Sequence, residues 1–528
     1  MIEEIDTKKW TSKIKKINDG KNKKFSILTM GCQLNENDSE KMAGMLNEAG
    51  YTKTDNVEEA DVIVFNTCCV RENAEERLLG KLGDVKKYKE AKGTIIAIGG
   101  CMMQEKNMVE KLNKSYKYID IIFGPHTMNK FPEDLYNVII NKQKIEDILD
   151  IDGDVFEGIP VLRDDTIKAS IPIMNGCDNF CTYCIVPYVR GRERSRNPQD
   201  IINECETIAK QGYKEIMLLG QNVNSYLVSE REKNKDLSFN VTITHNDLDK
   251  KNITNNDEQK NVGFENEKNN SENNILNISN KYTNDVNNLI SKKCSTEVFT
   301  VNSFATLLRA INKIDGIERI RFISPHPKDF TDDVIDAIKD CEKVCKLIHL
   351  PLQSGSTNVL NKMNRKYTKE QYLRLVDKIR NKIPEATFTT DIIVGFPGET
   401  DEDFEDTLDV VKKVNYEQIF MFIYSRRVGT VADKMENQVD EKVKHERFER
   451  LKKLYEEMCE VNNKKYLNKI EKVLVEGKSK TNPEMLTGRT DSNKIVNFKG
   501  NDDLIGKMIK VKIICDHLWY LEGSCDTI

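Results

Sequence analysis

The stretch Asn175-Gly176-Cys177-Asp178-Asn179-Phe180-Cys181-Thr182-Tyr183-Cys184 places three thiols in a Cys-x3-Cys-x2-Cys spacing within one short loop. Three thiolates from one tight loop wrap a metal centre and leave one position of a four-metal cluster without a protein ligand. Closed structural zinc sites fill all four positions, usually with two separated Cys/His pairs. No fourth Cys or His follows at finger-like distance, and the next cysteine, Cys205, lies in a helical pattern. A zinc knuckle short of one ligand is the weaker alternative. An iron–sulfur cluster with one open iron is the stronger reading, because thiolates hold such clusters and an open iron is where chemistry happens.

Upstream of this loop, three apolar runs each stop at a cysteine: Phe25 to Cys32, Asp61 to Cys68 and Thr94 to Cys101. Helical patterns separate them, such as Ser39 to Leu46 and Ala74 to Leu82. Short continuous apolar strands alternating with helices predict a parallel sheet with helices on its faces. Ligands of such sheets gather outside the carboxyl ends of the strands, the edge that Cys32, Cys68 and Cys101 are expected to share. Any one of them alone reads as a small core residue. Three at equivalent strand ends read as ligands of a second iron–sulfur cluster. Cys69 is expected to point to the opposite face as a bystander, if the strand continues through it. A fourth run, Tyr118 to Gly124, completes this sheet.

Downstream the pattern repeats strand, loop, helix. Strands are expected at Ser170–Met174, Glu215–Leu219, Arg319–Ile323, Lys346–Leu350, Phe388–Val394 and Gln418–Ile423. Six βα-like units suggest a partial barrel with its chemistry at the strand carboxyl ends. Gln221, Gln353, Ser354 and Asp391, from the loops and strands at that rim, are candidate contacts for a small polar cofactor, with loop scaffold as the alternative for each. His326 and His349 near strand ends read as packing residues. After the cysteine loop, Arg190, Arg192, Arg194 and Arg196 alternate with other types and suit phosphate contacts on an exposed loop; a solvated surface run is the bland reading.

Residues 228–297 are rich in asparagine and lysine, lack proline and carry few aromatics. That composition predicts a disordered insertion, with a tolerated surface loop as its default role. An amphipathic helix over 440–465 carries Phe448, Leu451, Tyr455 and Met458 at spacings of three and four. Five short strands then follow, at 472–477, 485–489, 494–498, 507–514 and 518–521, and predict a small β-barrel. Such barrels bind nucleic acid through basic and aromatic side chains, here with Lys478, Lys480, Arg489 and Lys494 as candidates. The expected divisions are an N-terminal extension 1–24, an α/β domain 25–150, a barrel domain 163–464 and a tail domain 465–528.

A chain of 528 residues has room for two to four domains. A net charge of -5 excludes a bulk polyanion binder, so nucleic acid must meet local basic patches. Fourteen scattered cysteines suit metal ligation in a reducing compartment better than a disulfide framework. The first 24 residues lack the apolar core of a signal peptide and no later run is of bilayer-spanning length. A cytoplasmic, monomeric protein without membrane contact is expected.

The cysteine loop, with Tyr183 before its third thiol, resembles the radical S-adenosylmethionine superfamily. With the segments 31–39, 66–72, 99–101, 177–196, 350–356 and 391–400, the chain resembles the methylthiotransferases of that group over nearly all its length. Cys69, where relatives usually carry Ala or Ser, and the insertion depart from the pattern. The resemblance implies an α/β N-terminal domain, a partial (β/α)6 radical-SAM barrel and a C-terminal RNA-binding TRAM barrel. It implies two 4Fe-4S clusters, one on Cys177, Cys181 and Cys184 with S-adenosylmethionine on its free iron, and one on Cys32, Cys68 and Cys101. The implied reaction puts a methylthio group on carbon 2 of N6-isopentenyladenosine beside the tRNA anticodon. A deoxyadenosyl radical takes the hydrogen, and the second cluster holds or supplies the sulfur. Flavodoxin- or ferredoxin-like electron donors and a sulfur source are implied partners. Two sister branches act on N6-threonylcarbamoyladenosine in tRNA and on a ribosomal-protein aspartate; a non-catalytic, metal-stapled RNA-binding protein is the reading from a different class.

Overall fold

The computed structural model describes residues 7–69, 74–149, 156–246 and 294–525. Its first sheet consists of β1 (Lys24–Met30), β2 (Thr52–Lys53), β3 (Val62–Thr67), β4 (Ile95–Gly100), β5 (Ile121–Phe123) and β6 (Ile145–Asp147). They lie in the order β2-β1-β3-β4-β5-β6, and every pairing is parallel. The apolar runs are continuous because both faces are covered. Val62 and Val64 pack on one side with Met42, Phe123 and Leu135. Ile63 and Phe65 pack on the other with Leu78, Ile98 and Leu112.

The expected N-terminal extension is partly a fixed element of this domain. Helix Thr7–Asn18 buries Ile14 in the first of those layers, and its Trp10 ring sits 5.2 Å from that of Tyr136. Alternating apolar positions on that helix have a neighbour to cover, which is what fixes it.

In the first turn of helix Phe131–Asn141, Asp134 is only 6% exposed and its Oδ2 has no hydrogen-bond partner among the described residues. Burial first, then Asp147 and Glu133, push its carboxyl up to about 7. The folded state therefore keeps a proton that the unfolded chain has released, and stability drains away at this site as pH rises from 3.8 towards about 7. Asp134→Asn is expected to stabilise the protein by about 1–3 kcal/mol near pH 8, and by less than half that near pH 5. Thermal unfolding at the two pH values measures this; an equal gain at both would contradict it.

The central domain runs through β7 (Lys168–Pro172), then β8 (Met174–Asn175) and β9 (Arg194–Ser195), a small antiparallel pair flanking the cysteine loop. It continues with β10 (Glu215–Leu219), β11 (Phe239–Asn246), β12 (Cys294–Val301), β13 (Arg319–Phe322), β14 (Leu347–His349), β15 (Thr387–Val394) and β16 (Gln418–Ile423). β7, β10 and β13 form one parallel set, and β14, β15 and β16 another. A bridge between Ile320 and Val344, with Cys345 N–H donating to Ile320 O at 3.0 Å, joins the two into an open arc edged by β7 and β16. Capping boxes at Ser303/Thr306, Thr368/Gln371 and Thr400/Asp403 start three of the helices that cover this arc.

The insertion reading is corrected at both its ends. Helix Val228–Lys233 and the antiparallel ladder β11–β12 are formed. Val241 and Ile243 are fully buried, and Gln199 exchanges hydrogen bonds of 2.8 and 3.2 Å with the Thr242 backbone. The alternation in Phe239-Asn240-Val241-Thr242-Ile243 is a strand signal that the asparagine-rich average hid. The expected disorder of 247–293 lies outside the described residues.

The tail is a closed barrel of β17 (Ile470–Lys478), β18 (Leu486–Arg489), β19 (Ile495–Phe498), β20 (Met508–Asp516) and β21 (Leu521–Ser524), in the order β17-β18-β19-β21-β20. Val473, Val475, Val496, Phe498, Val511 and Ile513 fill it. The last strand begins three residues later than expected, because 517–520 form a turn closed by His517 N–H to Tyr520 O at 2.9 Å.

This barrel is clamped to the central domain by charge. Arg319 and Arg321, 1% and 6% exposed, share the carboxylate of Glu215 at 3.4 and 3.1 Å. Arg319 then donates to Arg489 O, and Arg321 to Thr490 O and Asp491 O, at 2.8–3.1 Å. Among the described residues no helix is long and apolar enough to cross a membrane.

Candidate active site

The cysteine loop is held from all sides by backbone bonds. Gly176 has φ +80, and a Cβ there would run into the carbonyl of Arg192, so only glycine lets the two hairpin arms close. Cys177 N–H donates to Gly191 O at 3.2 Å and Cys184 N–H to Cys181 O at 2.9 Å. Thr182 donates to Met363 O and Lys362 O, and its own carbonyl accepts from Ala432 N–H. Asn364 Nδ2 satisfies the carbonyls of Asn179 and Phe180 at 3.2 and 2.9 Å. Three thiols thus share a pre-formed loop, with Cys177 and Cys181 buried and Cys184 half-buried.

Burial pushes the Cys177 and Cys184 thiols up to about 12. Soft metal ions are what bring such thiols to the thiolate form. The buried guanidinium of Arg365 donates from Nη1 to Cys181 Sγ at 3.3 Å and from Nε to Tyr367 Oη at 3.0 Å.

Cys32, Cys68 and Cys101 lie just beyond β1, β3 and β4, three adjacent strands. Cys32 is also the N-cap of helix Gln33–Glu48, where the helix dipole favours a thiolate. A hydrogen bond with Cys68, and then the positive charge of Arg190, bring the Cys32 thiol down to about 6. Two asparagines lock the strand ends together: Asn35 Nδ2 donates to Asn66 Oδ1 and Thr67 O at 3.1 Å, and Asn66 Nδ2 donates back to Asn35 O at 2.7 Å. Both are fully buried. Asparagine is mostly an exposed residue type, so nothing local in the sequence marked these two as buried or paired them.

The condition set for Cys69 is not met: β3 stops at Thr67, so strand alternation does not reach residue 69, and its side chain packs in one buried cluster with Cys101, Ile185 and Val189. That cluster also joins the two cysteine groups, since Ile185 directly follows Cys184 and Val189 closes the short helix Val186–Val189. Among the described residues no three His, Cys, Asp or Glu side chains close on a single metal ion; a cubane cluster keeps its thiolates farther apart than one ion does.

A cavity of about 330 Å³ opens inside the arc, lined by Gln33 from the first domain, Asn493 from the tail, and His349, Asp391, Phe420 and Phe422. Asp391 Oδ2 lies 3.4 Å from His349 Nε2, whose ring partner on the other side is Thr389 Oγ1 at 2.9 Å. Phe420 and Phe422 alternate on the edge strand β16 and remain 42% and 49% exposed. Gln353 takes φ +67 and bonds through its backbone to Asp391 and Ile393. Ser354 is wholly buried against Thr407, in the scaffold and not at a surface. Gln221 Oε1 and Tyr424 Oη, each just beyond the carboxyl end of a barrel strand, are buried without a hydrogen-bond partner among the described residues. Such atoms fit the contacts of a polar ligand. His326 is buried, accepts from Lys328 N–H at 3.2 Å and is held neutral by burial, as a packing histidine is.

The arginine run does not form one exposed loop. Arg196 is buried between Glu157 and Glu204, and Arg190 donates from Nε to Cys101 Sγ at 3.1 Å and from Nη2 to Asp38 at 2.7 Å. Arg194 donates to Arg190 O at 2.8 Å. Arg192 alone of the four is strongly exposed, lying over the Phe180 ring at 4.5 Å. Carboxylates brought to the right distance by the fold outcompete solvent for a guanidinium, and composition cannot show them. In the tail, Lys494 is turned inward to Glu417 at 2.8 Å and Arg489 pairs with Glu476, while Lys478 and Lys480 face outward.

Residues 24–124 match the uncharacterized protein family UPF0004, residues 171–259 and 294–411 the radical SAM superfamily, and residues 464–525 the TRAM domain. The chain is 46% identical to tRNA-2-methylthio-N(6)-dimethylallyladenosine synthase of Acetivibrio thermocellus, over 98% of this chain and 94% of that one. It is 49% identical to the synthase of Clostridium botulinum over 93% of each chain, and 48% identical to that of Clostridium tetani over 96% and 98%. Among solved structures it is similar to a radical S-adenosylmethionine methyltransferase, TsrM of Kitasatospora setae, at TM-score 0.48 and 13% identity, covering 78% of this chain and 75% of that one.

Proposed function

This chain belongs to the family of tRNA-2-methylthio-N(6)-dimethylallyladenosine synthases, and from that membership we propose how its residues divide the work of adding a methylthio group to N6-isopentenyladenosine in tRNA. It is a radical S-adenosylmethionine transferase whose cofactors are iron–sulfur clusters and S-adenosylmethionine. Cys177, Cys181 and Cys184 would hold the radical-generating cluster, and Cys32, Cys68 and Cys101 the auxiliary one. When bound, the first supplies the electron that splits S-adenosylmethionine, and the second is the seat of the transferred sulfur. The observation that supports this division is the packing of Ile185, next to Cys184, in one buried cluster with Cys101.

The protein's own share is placement and exclusion of water. Arg365 and Arg190 each hold one cysteine sulfur by a charge-assisted bond. The cavity inside the arc takes an unstacked base, with Phe420 and Phe422 as apolar walls, since an enzyme acting on a base atom must draw it from its stack. The exposed Arg192, Lys478 and Lys480 are the phosphate contacts, Gln221 and Asp391 the cofactor contacts. A flavodoxin- or ferredoxin-like donor, a separate sulfur source, a monomeric state and a cytoplasmic location complete the reading.

Gln221→Leu removes the unpartnered acceptor at nearly constant volume. It is expected to weaken S-adenosylmethionine binding about tenfold, the scale of one hydrogen bond, as read by equilibrium binding to the reconstituted protein. Unchanged affinity would remove Gln221 from the site. The function itself is tested by the modified-nucleoside profile of tRNA from cells with and without the gene. Loss of the methylthio form of isopentenyladenosine is expected; loss of the threonylcarbamoyl counterpart alone would overturn the substrate assignment.

A further inference from the structure

We propose that Cys101 is a polarised ligand of the auxiliary cluster and that Arg190 is the positioning residue that sets this cluster's reduction potential. The inference rests on the reading of Cys32, Cys68 and Cys101 as ligands. Two donors converge on the Cys101 sulfur. One is Arg190, whose Nε–H points to Sγ at 3.1 Å. The other is the Cys69 thiol, packed against Cys101 in the same buried cluster and within hydrogen-bond reach of it. The Cys32 sulfur meets the neutral Asn35 Oδ1 at 3.3 Å.

Arg190 is 6% exposed and therefore unscreened by water. It does not act with its full charge, because its Nη2 is tied to Asp38 at 2.7 Å, itself on the helix that Cys32 caps. Hydrogen bonds to cluster sulfurs and nearby positive charge favour the reduced, more negative state and raise the potential. The donor and its counter-carboxylate thus form an opposed pair: removing Arg190 lowers the potential, and removing the charge of Asp38 raises it. Arg190 also sits six residues after Cys184, so the fold that carries the first cysteine group delivers the donor that tunes the second. A purely structural tie between the two domains has no such sign reversal.

The test uses the full chain carrying Cys177→Ala, Cys181→Ala and Cys184→Ala together, so that the auxiliary centre is the only one reconstituted, and follows its reduction by electron paramagnetic resonance. Arg190→Met is expected to shift the reduction equilibrium at least tenfold towards the oxidised form, about 59 mV for one electron. Cys69→Ala is expected to shift it the same way by a smaller factor, and Asp38→Asn in the opposite direction. An unmoved potential in both Arg190→Met and Asp38→Asn at full iron content, or shifts of the same sign, overturns the proposal. If Arg190→Met does not fold, the sign seen in Asp38→Asn decides alone: upward supports it, and no shift or a downward one refutes it. Absence of iron from the parent triple variant would instead strike the ligand reading beneath it.

Discussion

Cys181→Ala is expected to bring release of 5′-deoxyadenosine down to background, while Cys68→Ala leaves that release intact and stops formation of the methylthio product. Cys181 sits at the centre of its loop, buried, with Arg365 on its sulfur and both neighbours of the loop pinned by backbone bonds. Alanine there keeps the loop and deletes one of three ligands, so the loss falls on the chemistry and not on folding. A fall of roughly 10³-fold or more is expected, the scale seen when one member of a catalytic unit is removed. Cys68 belongs to the other sheet edge, beyond β3, where its side chain is hydrogen-bonded with Cys32. Anaerobic reconstitution, iron counting and product analysis of both variants measure the contrast. Equal loss of cofactor cleavage in the two would contradict the division of labour between the domains.

Glu215→Ala is expected to cost about 3–5 kcal/mol, because it strips the carboxylate shared by two guanidiniums that solvent cannot reach. Arg319 and Arg321 are 1% and 6% exposed, and Glu215 4%. Removing a partner from a buried pair is far more damaging than the pair is stabilising, since the orphaned charge keeps its desolvation penalty. Asp491, the other carboxylate on Arg319, stands 57% exposed and compensates little. The damage should centre on the seam with the tail barrel, where both arginines donate to the carbonyls of 489–491. Glu215→Gln, which keeps an acceptor, should lose about half as much. Thermal unfolding together with hydrogen exchange over 470–498 checks this; a loss below about 1 kcal/mol with unchanged exchange would refute the clamp.

The elements were legible wherever local pattern carried them. Runs such as 61–67 are continuous because a parallel strand is covered twice, and that coverage is written into residue type. β10 and β16 fall where their apolar runs do, at Glu215–Leu219 and Gln418–Ile423. What failed was an average taken over a long window: the asparagine content of the insertion hid Val241 and Ile243. The condition set for Cys69, a strand running through it, is not met, because β3 ends at Thr67.

The site divides along the same line. Spacing alone singled out Cys177, Cys181 and Cys184, because three thiols in one loop are a local arrangement, and strand ends singled out Cys32, Cys68 and Cys101. The fate of the arginines was not local. Arg190, Arg192 and Arg196 share one nine-residue run, yet one grips a cysteine, one faces solvent and one lies between two glutamates. A guanidinium settles where acceptors converge, and those acceptors come from residues 38, 101, 157 and 204, brought near only by folding. The amino-acid sequence by itself determined the order of the strands along the chain and the two sets of thiols on which the proposed chemistry rests. The tertiary structure decided which charges are buried, which partner each one meets and where the three domains press together, because electrostatic energy depends on distance through space and burial, neither of which a residue's place in the chain contains.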